Sequence, residues 1–104
     1  MAKTPEAKVK AKVTGILKSH KAYFFYPFSG GFGTSGIPDI VGCINGKFFG
    51  IECKANGGKP TALQLKQLEK IEWNGGLAYV VDETNVDDLK EEIERDARIF
   101  DMDN

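Results

Sequence analysis

The chain has 104 residues, of which 41% are hydrophobic and 28% are charged. This composition is typical of a globular protein rather than a disordered one, and the length suffices for one domain, residues 1–104, with one core. No apolar run approaches the roughly 20 residues of a membrane span, and no signal-like segment follows the lysine-rich N-terminus, so we expect a cytoplasmic protein.

The net charge of -1 is unevenly distributed along the chain. Residues 1–81 carry 11 lysines and five acidic residues, a balance of +6, whereas residues 82–104 have a balance of -7. The overall acidity would argue against nucleic acid as a partner, but it averages two unlike parts. A basic body followed by an acidic helix still offers a face that attracts phosphate.

A first helix is predicted from Thr4, with Thr4 as the N-cap, Pro5 at the first helical position and Glu6 in the first turn. Its apolar stripe has helical spacing and comprises Val9, Val13, Ile16 and Leu17. Glu6 lies at the edge of this stripe, where a carboxylate favourable to the helix dipole is the structural alternative to the functional role given below. His20 is expected to cap the end of the helix rather than to act as a base.

The aromatic run Ala22 to Phe28 predicts a strand that ends near Pro27. Core packing is favoured for most of this run, and stacking of bases on Tyr23 or Tyr26 is left open. The following G-x-G-x-x-G pattern does not open a helix, which excludes a dinucleotide site. We expect the loop Ser29 to Gly36, including Ser35, to present backbone N–H groups to a DNA backbone.

Two apolar runs flank Asn45-Gly46, a strong signal for a hairpin with a two-residue type I′ turn. In the resulting register Asp39 faces Glu52, and Lys54 lies on the same face as Glu52. Facing carboxylates repel each other, whereas Mg²⁺ binds such carboxylates together with water and phosphate oxygens. The alternative to a metal site is an ordinary cross-strand salt-bridge triad, in which Lys54 neutralises one carboxylate. That alternative would be preferred if only Glu52 and Lys54 were present, and Asp39 at the matched position favours the metal site.

Two cysteines lie on opposite faces of this hairpin, so Cys43 and Cys53 are not expected to form a disulfide with each other. Their spacing matches no zinc motif. Both are expected to be small buried hydrophobic residues in a reducing compartment.

A second helix is predicted after Thr61, which forms a capping box with Gln64. Gln64 also lies on the predicted sheet-facing side, so a structural and a functional role remain compatible. Exposed lysines around this helix are candidate phosphate contacts or plain surface residues, namely Lys59, Lys66 and Lys70. Trp73 is expected to fill the core. A final apolar strand, Leu77 to Val81, precedes an amphipathic helix with an acidic outer face.

Pro38-Asp39 followed by Glu52-Cys53-Lys54 resembles the signature of the PD-(D/E)XK nucleases. The segments Gly36 to Asp39 and Thr61 to Gln64 are similar to the VRR-NUC branch, which includes small stand-alone members in bacteriophages. The resemblance covers roughly Glu6 to Val81 and implies an α/β fold. That fold is a restriction-endonuclease-like αβββαβ core with a mixed central sheet, here with an added C-terminal helix.

The resemblance implies a DNA endonuclease that depends on Mg²⁺ or Mn²⁺. Asp39, Glu52 and the backbone carbonyl of Cys53 would hold the metal, and Glu6 on the first helix would reach it. Lys54 would orient the attacking water or stabilise the charge that develops on the phosphate. Gln64 occupies a position where the family also has glutamine.

The expected partner is branched DNA, most plausibly a four-way junction, bound by a homodimer. Ser35, Lys59 and Lys66 are the expected DNA contacts, and the aromatic run with the first helix is the candidate dimer interface. A non-catalytic nucleic-acid-binding module that kept the nuclease fold is the alternative function. A third hypothesis, a structural or interaction protein, is supported only by the small size of the chain and its acidic C-terminal helix.

Overall fold

The computed structural model describes residues 4–28 and 35–100. Its elements in chain order are α1 (Pro5–Ser19), β1 (Tyr23–Phe25), β2 (Ile40–Ile44), β3 (Lys47–Cys53), α2 (Ala62–Trp73), β4 (Leu77–Val81), a short 3₁₀ helix (Val86–Asp88) and α3 (Leu89–Asp96). The four strands form one sheet in the order β1-β2-β3-β4. The first three are antiparallel neighbours, and β4 pairs with β3 in parallel. The predicted α/β fold is confirmed and is consistent with a restriction-endonuclease-like core.

One face of the sheet is covered by α1 and α3. The Thr4 hydroxyl accepts a hydrogen bond from the Ala7 N–H at 3.1 Å, which gives α1 its predicted cap. At the other end His20 contacts the Ile16 carbonyl at 2.9 Å and Glu94 of α3 at 2.9 Å, so its ring joins the two helices. The buried side chains on this side form the main core: Val9, Val13, Leu17, Ile40, Ile44, Phe49, Ile51, Cys53, Tyr79, Val81, Val86, Leu89, Ile93 and Ala97.

The β2–β3 hairpin has the register that the sequence predicts. Asn45 and Gly46 have φ values of 47° and 80°, as a type I′ turn requires. The ladder runs from the Ile44–Lys47 pair to the Ile40–Ile51 pair, so Asp39 and Glu52 follow directly at its open end. The Asn45 side chain donates to the Ala97 carbonyl at 2.6 Å and to the Arg98 carbonyl at 3.3 Å, which ties the turn to the end of α3.

Helix α2 packs on the opposite face, where it contacts β3 and β4. Gly50 makes this approach possible, because a Cβ atom there would lie 2.5 Å from the Ile71 methyl and 3.1 Å from the Pro38 ring. Pro38 is buried at this point and fixes the chain just before Asp39. Helix α2 therefore covers the face of β3 that carries Glu52.

The predicted burial of the aromatic residues is wrong for most of them. The strand is only three residues long, and the side chains of Tyr23, Phe25, Tyr26 and Phe28 are exposed. Trp73 is 90% exposed instead of filling the core. For Tyr23 and Phe25 the reason is that α2 covers the β3–β4 half of its face and leaves the β1–β2 half open, while Trp73 is the last residue of α2.

The two cysteines lie on opposite faces of the hairpin, as expected. Cys53 is buried in the core and Cys43 is exposed, so the prediction that both are buried is wrong for Cys43. Cys43 pairs with Tyr23 on one side and with Phe48 on the other, on the part of the α2 face that no helix of the described residues covers.

Among the helices of the described ranges, none has both the length and the apolar character needed to cross a membrane.

Candidate active site

Asp39 lies at the open end of the hairpin and is bound by the backbone of β3. Its Oδ2 accepts a hydrogen bond from the Cys53 N–H at 2.8 Å. A carboxylate that accepts a hydrogen bond from a backbone N–H is held in one place. The hairpin register and this bond together direct the Asp39 carboxylate at the last residues of β3.

Glu52 is the buried acid of the site, with only 2% of its surface exposed. Its Oε2 accepts from the Gln64 amide at 3.0 Å and lies 3.4 Å from the Lys54 ammonium. Its Oε1 is also buried and has no hydrogen-bond partner among residues 4–28 and 35–100. Burial first, and then the charge of Asp39, raise the pKa of Glu52 to about 7, although Lys54 opposes the shift.

The capping box of α2 decides which way the Gln64 amide points. The Gln64 Oε1 accepts from the Thr61 N–H at 2.8 Å, and the Thr61 hydroxyl accepts from the Gln64 N–H at 3.2 Å. The flipped amide would set NH₂ against an N–H at Thr61 and an oxygen against the Glu52 carboxylate, so it is unfavourable at both ends. Gln64 is therefore a helix cap and a donor to Glu52 at the same time.

Lys54 follows on the same face of the chain as Glu52. Its side chain is 17% exposed, and its backbone N–H donates to the Val81 carbonyl at 2.9 Å, which fixes its position beside β4. Its ion pair is with Glu52, and none joins it to Asp39, although both residues lie in the described part of the chain. Lys54 therefore neutralises one of the two carboxylates, as in the salt-bridge alternative, and the Cys53 N–H is the partner of the other.

Glu6 is exposed in the first turn of α1, on the helix that packs against the opposite face of the sheet. Within residues 4–28 and 35–100, no group of three or more His, Cys, Asp or Glu side chains is arranged to hold a metal ion. Glu6 thus does not join Asp39 and Glu52 in such a group. Its charge does reach the end of β3, since it contributes to a raised pKa of Cys53.

Cys53 is a poor metal ligand through its sulfur. Burial, followed by the charge of Asp39, raises the pKa of its thiol to about 12, so the thiolate that zinc requires does not form near neutral pH. Only the backbone carbonyl of Cys53 remains as a ligand from this residue. A site of two carboxylates and one carbonyl oxygen has the hard donors that suit Mg²⁺ or Mn²⁺.

One further observation indicates that these donor atoms suit a divalent cation. A buried carboxylate oxygen without a partner, here Glu52 Oε1, is costly unless a cation or a water satisfies it. The raised pKa of Glu52 reflects the same burial, together with the charge of Asp39, which Lys54 only partly offsets. A divalent cation would relieve both.

The expected DNA contacts are only partly brought together. Ser35 is exposed, and its carbonyl accepts from the Gln67 amide at 3.4 Å, which places it beside α2. Lys59 and Lys66 are exposed before and on α2. Residues 29–34 of the predicted phosphate-binding loop lie outside the described residues. Gln67 was missed as a contact of this loop, although its position one turn after Gln64 is a usable signal.

Comparison with known proteins points in the same direction. No family model matches the chain. A protein named "Putative nuclease p44", from Acyrthosiphon pisum secondary endosymbiont phage 1, is 36% identical over 58 residues. The match covers 55% of this chain and 62% of that protein, so the chain spans less than two thirds of the length of this curated relative.

Proposed function

We propose that this chain is a DNA endonuclease of the VRR-NUC branch of the PD-(D/E)XK nucleases that requires Mg²⁺ or Mn²⁺. The observation that carries the proposal is the buried Glu52, which has an unpartnered oxygen and faces Asp39 beside Lys54. The relative that carries the name of a nuclease, and comes from a phage, supports the same class of activity.

The proposed ligands of the metal are Asp39, Glu52 and the backbone carbonyl of Cys53. When bound, a divalent cation lowers the pKa of a water molecule and neutralises charge on the scissile phosphate. Glu6 is proposed only as a further negative charge near this end of β3, since it stands apart from the carboxylate pair.

The remaining side chains orient and balance this site. Gln64 donates a hydrogen bond to Glu52 Oε2 at 3.0 Å. The other carboxylate oxygen, Oε1, is left without a hydrogen-bond partner among the described residues. Lys54 keeps an ammonium group 3.4 Å from the same Oε2, close enough to orient a water molecule or to balance charge on a phosphate oxygen. Burial by α2 and Pro38 limits access of bulk water and strengthens both interactions.

The proposed substrate is branched DNA, in particular a four-way junction, cut by a homodimer. One small chain has limited surface for a specific DNA interface, which buries roughly 1,000–2,500 Å² of protein. Two copies related by a twofold axis would supply two basic faces and two sites. Ser35, Lys59 and Lys66 are the proposed DNA contacts.

The test is a cleavage assay with purified protein. Labelled four-way junction, flap, nicked and plain duplex DNA are incubated with Mg²⁺, Mn²⁺ or a chelator. We expect metal-dependent cleavage of the junction that Lys54→Ala abolishes while binding and folding persist. Lys47→Ala is the matched control, because it removes a lysine from the other end of the same strand. Binding without cleavage in every condition would favour the non-catalytic module.

A second measurement separates the ligands from the salt bridge. Asp39→Asn keeps an oxygen for the Cys53 N–H and relieves repulsion with Glu52, so its Tm without metal should be equal to or above that of the wild type. We expect the variant to lose the rise in Tm that added Mn²⁺ gives the wild type. An unchanged Mn²⁺-dependent rise would show that Asp39 is not a ligand.

A further inference from the structure

We propose that Gly36 is a positioning residue that acts through Gln64 to hold the Glu52 carboxylate. The consequence for cleavage rests on the proposed function, whereas the contact itself does not. Gly36 precedes the Pro38-Asp39 pair, and its backbone lies directly against the first turn of α2.

Two separate constraints require glycine at this position. Its φ of +81° is in the left-handed region, which is unfavourable for residues with a Cβ atom. A Cβ atom would also lie 2.6 Å from the carbonyl carbon and oxygen of Leu63 and 2.8 Å from the Gln64 nitrogen. All three are backbone atoms of α2, so no change of rotamer can relieve the contact. Helix α2 and the segment that leads to Asp39 would have to move apart.

The required movement is large compared with the tolerance of the Gln64 hydrogen bond. Carbon atoms that do not bond approach to about 3.5 Å, so a Cβ atom at Gly36 would increase the separation between the Gly36 segment and the first turn of α2 by about 1 Å. The Gln64 amide donates to Glu52 Oε2 at 3.0 Å. A hydrogen bond at this distance does not survive such a shift. The capping box moves with the helix, because it lies within the helix.

A second contact ties the same segments together. The Gln67 amide, one turn further along α2, donates to the Ser35 carbonyl at 3.4 Å. The chain before Asp39 is thus joined to α2 at two successive turns. The segment that delivers Asp39 and the helix that delivers Gln64 are therefore placed relative to each other by Gly36.

Three other glycines make it possible to distinguish the contact of a Cβ atom with α2 from the cost of a positive φ. Gly46, Gly57 and Gly75 also have positive φ values, of 80°, 77° and 85°. A Cβ atom at any of these three positions would meet nothing within 4 Å. Gly75 follows the far end of α2 and lies away from the candidate site. It therefore shares the conformational cost of Gly36 without the contact.

The experiment compares Gly36→Ala with Gly75→Ala in the full chain. NMR of the Gln64 side-chain amide reports the contact with Glu52 without any need for activity, because a hydrogen-bonded NH₂ is shifted and exchanges slowly with water. We expect Gly75→Ala to keep the wild-type amide signals and a cleavage rate within about twofold. We expect Gly36→Ala to lose the amide shift and to cleave about 100-fold more slowly, as for a misplacement of about 1 Å.

Two further variants sharpen the test. Gly36→Asn carries the Cβ atom but tolerates a positive φ, so it should show the same loss of the amide shift with less loss of Tm. The double variant Gly36→Ala, Gln64→Ala should cleave no more slowly than the slower of the two single variants, because both act through one contact.

The proposal is overturned if Gly36→Ala and Gly36→Asn keep the wild-type Gln64 amide signals. It is also overturned if both fail to fold while Gly75→Ala folds, since Gly36 would then serve the fold as a whole. A wild type that cleaves no DNA would contradict the proposed function alone. The amide signals would still decide the role of Gly36.

Discussion

Glu52 is the residue at which the fold accepts an electrostatic cost. A carboxyl group that is 2% exposed, faces a second carboxylate and has one unpartnered oxygen is held less favourably than in water. The Gln64 amide and the Lys54 ammonium offset part of this cost through Oε2. Such a residue is retained where its charge is used, which is why perturbed carboxyl groups mark candidate sites.

The raised pKa of Glu52 predicts how stability depends on pH without metal. The unfolded pKa is near 4.5 and the folded pKa is about 7, so between these values the folded state holds the proton more tightly. This contribution to the free energy of unfolding is complete below pH 4.5 and is lost as the pH rises to about 7. Glu52→Gln lacks it, and the two proteins should diverge by on the order of 3 kcal/mol over this range.

Urea unfolding in the presence of a chelator, at intervals from pH 4 to pH 8, measures this difference. Taking the difference between wild type and variant cancels the titration of carboxylates that do not interact with Glu52. A difference that stays constant with pH would mean that Glu52 titrates normally in the folded protein.

At the scale of elements, the hairpin turn does more than reverse the chain. Asn45 adopts φ 47° and also caps the end of α3 through its side chain, by bonds to the Ala97 and Arg98 carbonyls. The turn that sets the register of Asp39 and Glu52 is thereby also the anchor of the C-terminal helix.

Asn45→Gly isolates this anchor, because glycine keeps the positive φ and removes only the side chain. We expect a loss of about 1 kcal/mol in the free energy of unfolding, typical of one intramolecular hydrogen bond. Asn56→Gly is the control: Asn56 also has a positive φ, of 54°, and within the described residues its side chain makes no hydrogen bond. Its change should stay within about 0.5 kcal/mol. Equal losses in the two variants, measured by urea unfolding, would show that the side-chain bonds of Asn45 contribute nothing.

Turns and helix caps could be predicted from the sequence, whereas the exposure of side chains on the sheet and at the helix end could not. The turn at Asn45-Gly46 and the caps at Thr4 and Thr61 depend on neighbours within four residues, so their sequence identifies them. The hairpin register followed from the turn and placed Asp39 opposite Glu52. The exposure of Trp73 and Tyr23 depends on how far α2 extends across the sheet, which no local pattern reports.

The Gln64 contact shows the same limit inside the candidate site. The capping box was visible in the sequence, and so was the helical face of Gln64. That the same amide both caps the helix and donates to Glu52 depends on the close approach of α2 to Gly36. This approach is a tertiary feature, so the sequence indicated the residue without its geometry.

At the scale of the whole molecule, the uncovered half of the sheet is the main surface without a structural role. Tyr23, Phe25 and Phe48 are exposed there around Cys43, on the face that α2 covers elsewhere. Contiguous exposed aromatic side chains of this kind mark interaction surfaces. A stable dimer needs roughly 800 Å² from each partner, a modest part of the 7030 Å² surface of this chain.

We expect this uncovered face to form the homodimer. Light scattering at micromolar concentration should give a dimer for the wild type and a monomer for the double variant Phe25→Ser, Phe48→Ser. Leu65→Ser is the control, since it removes an exposed apolar side chain from the outer side of α2. A wild type that is a monomer at all concentrations, and cuts plain duplex as readily as a junction, would contradict both the dimer and the substrate.

The parallel pairing of β3 with β4 has a consequence for the order of folding. The hairpin is a local contact that closes through a two-residue turn. We expect α2 to be fixed later, because β4 pairs with β3 only after the chain has crossed over to place Val81 beside Cys53. A nascent or refolding chain would thus hold Asp39 and Glu52 together before Gln64 arrives. We expect nuclease activity to return with the slowest refolding phase, as activity sampled during stopped-flow refolding would show. A return with the earliest phase would contradict this order. If activity returns last, the parallel crossover keeps the proposed nuclease inactive until the chain has folded through β4.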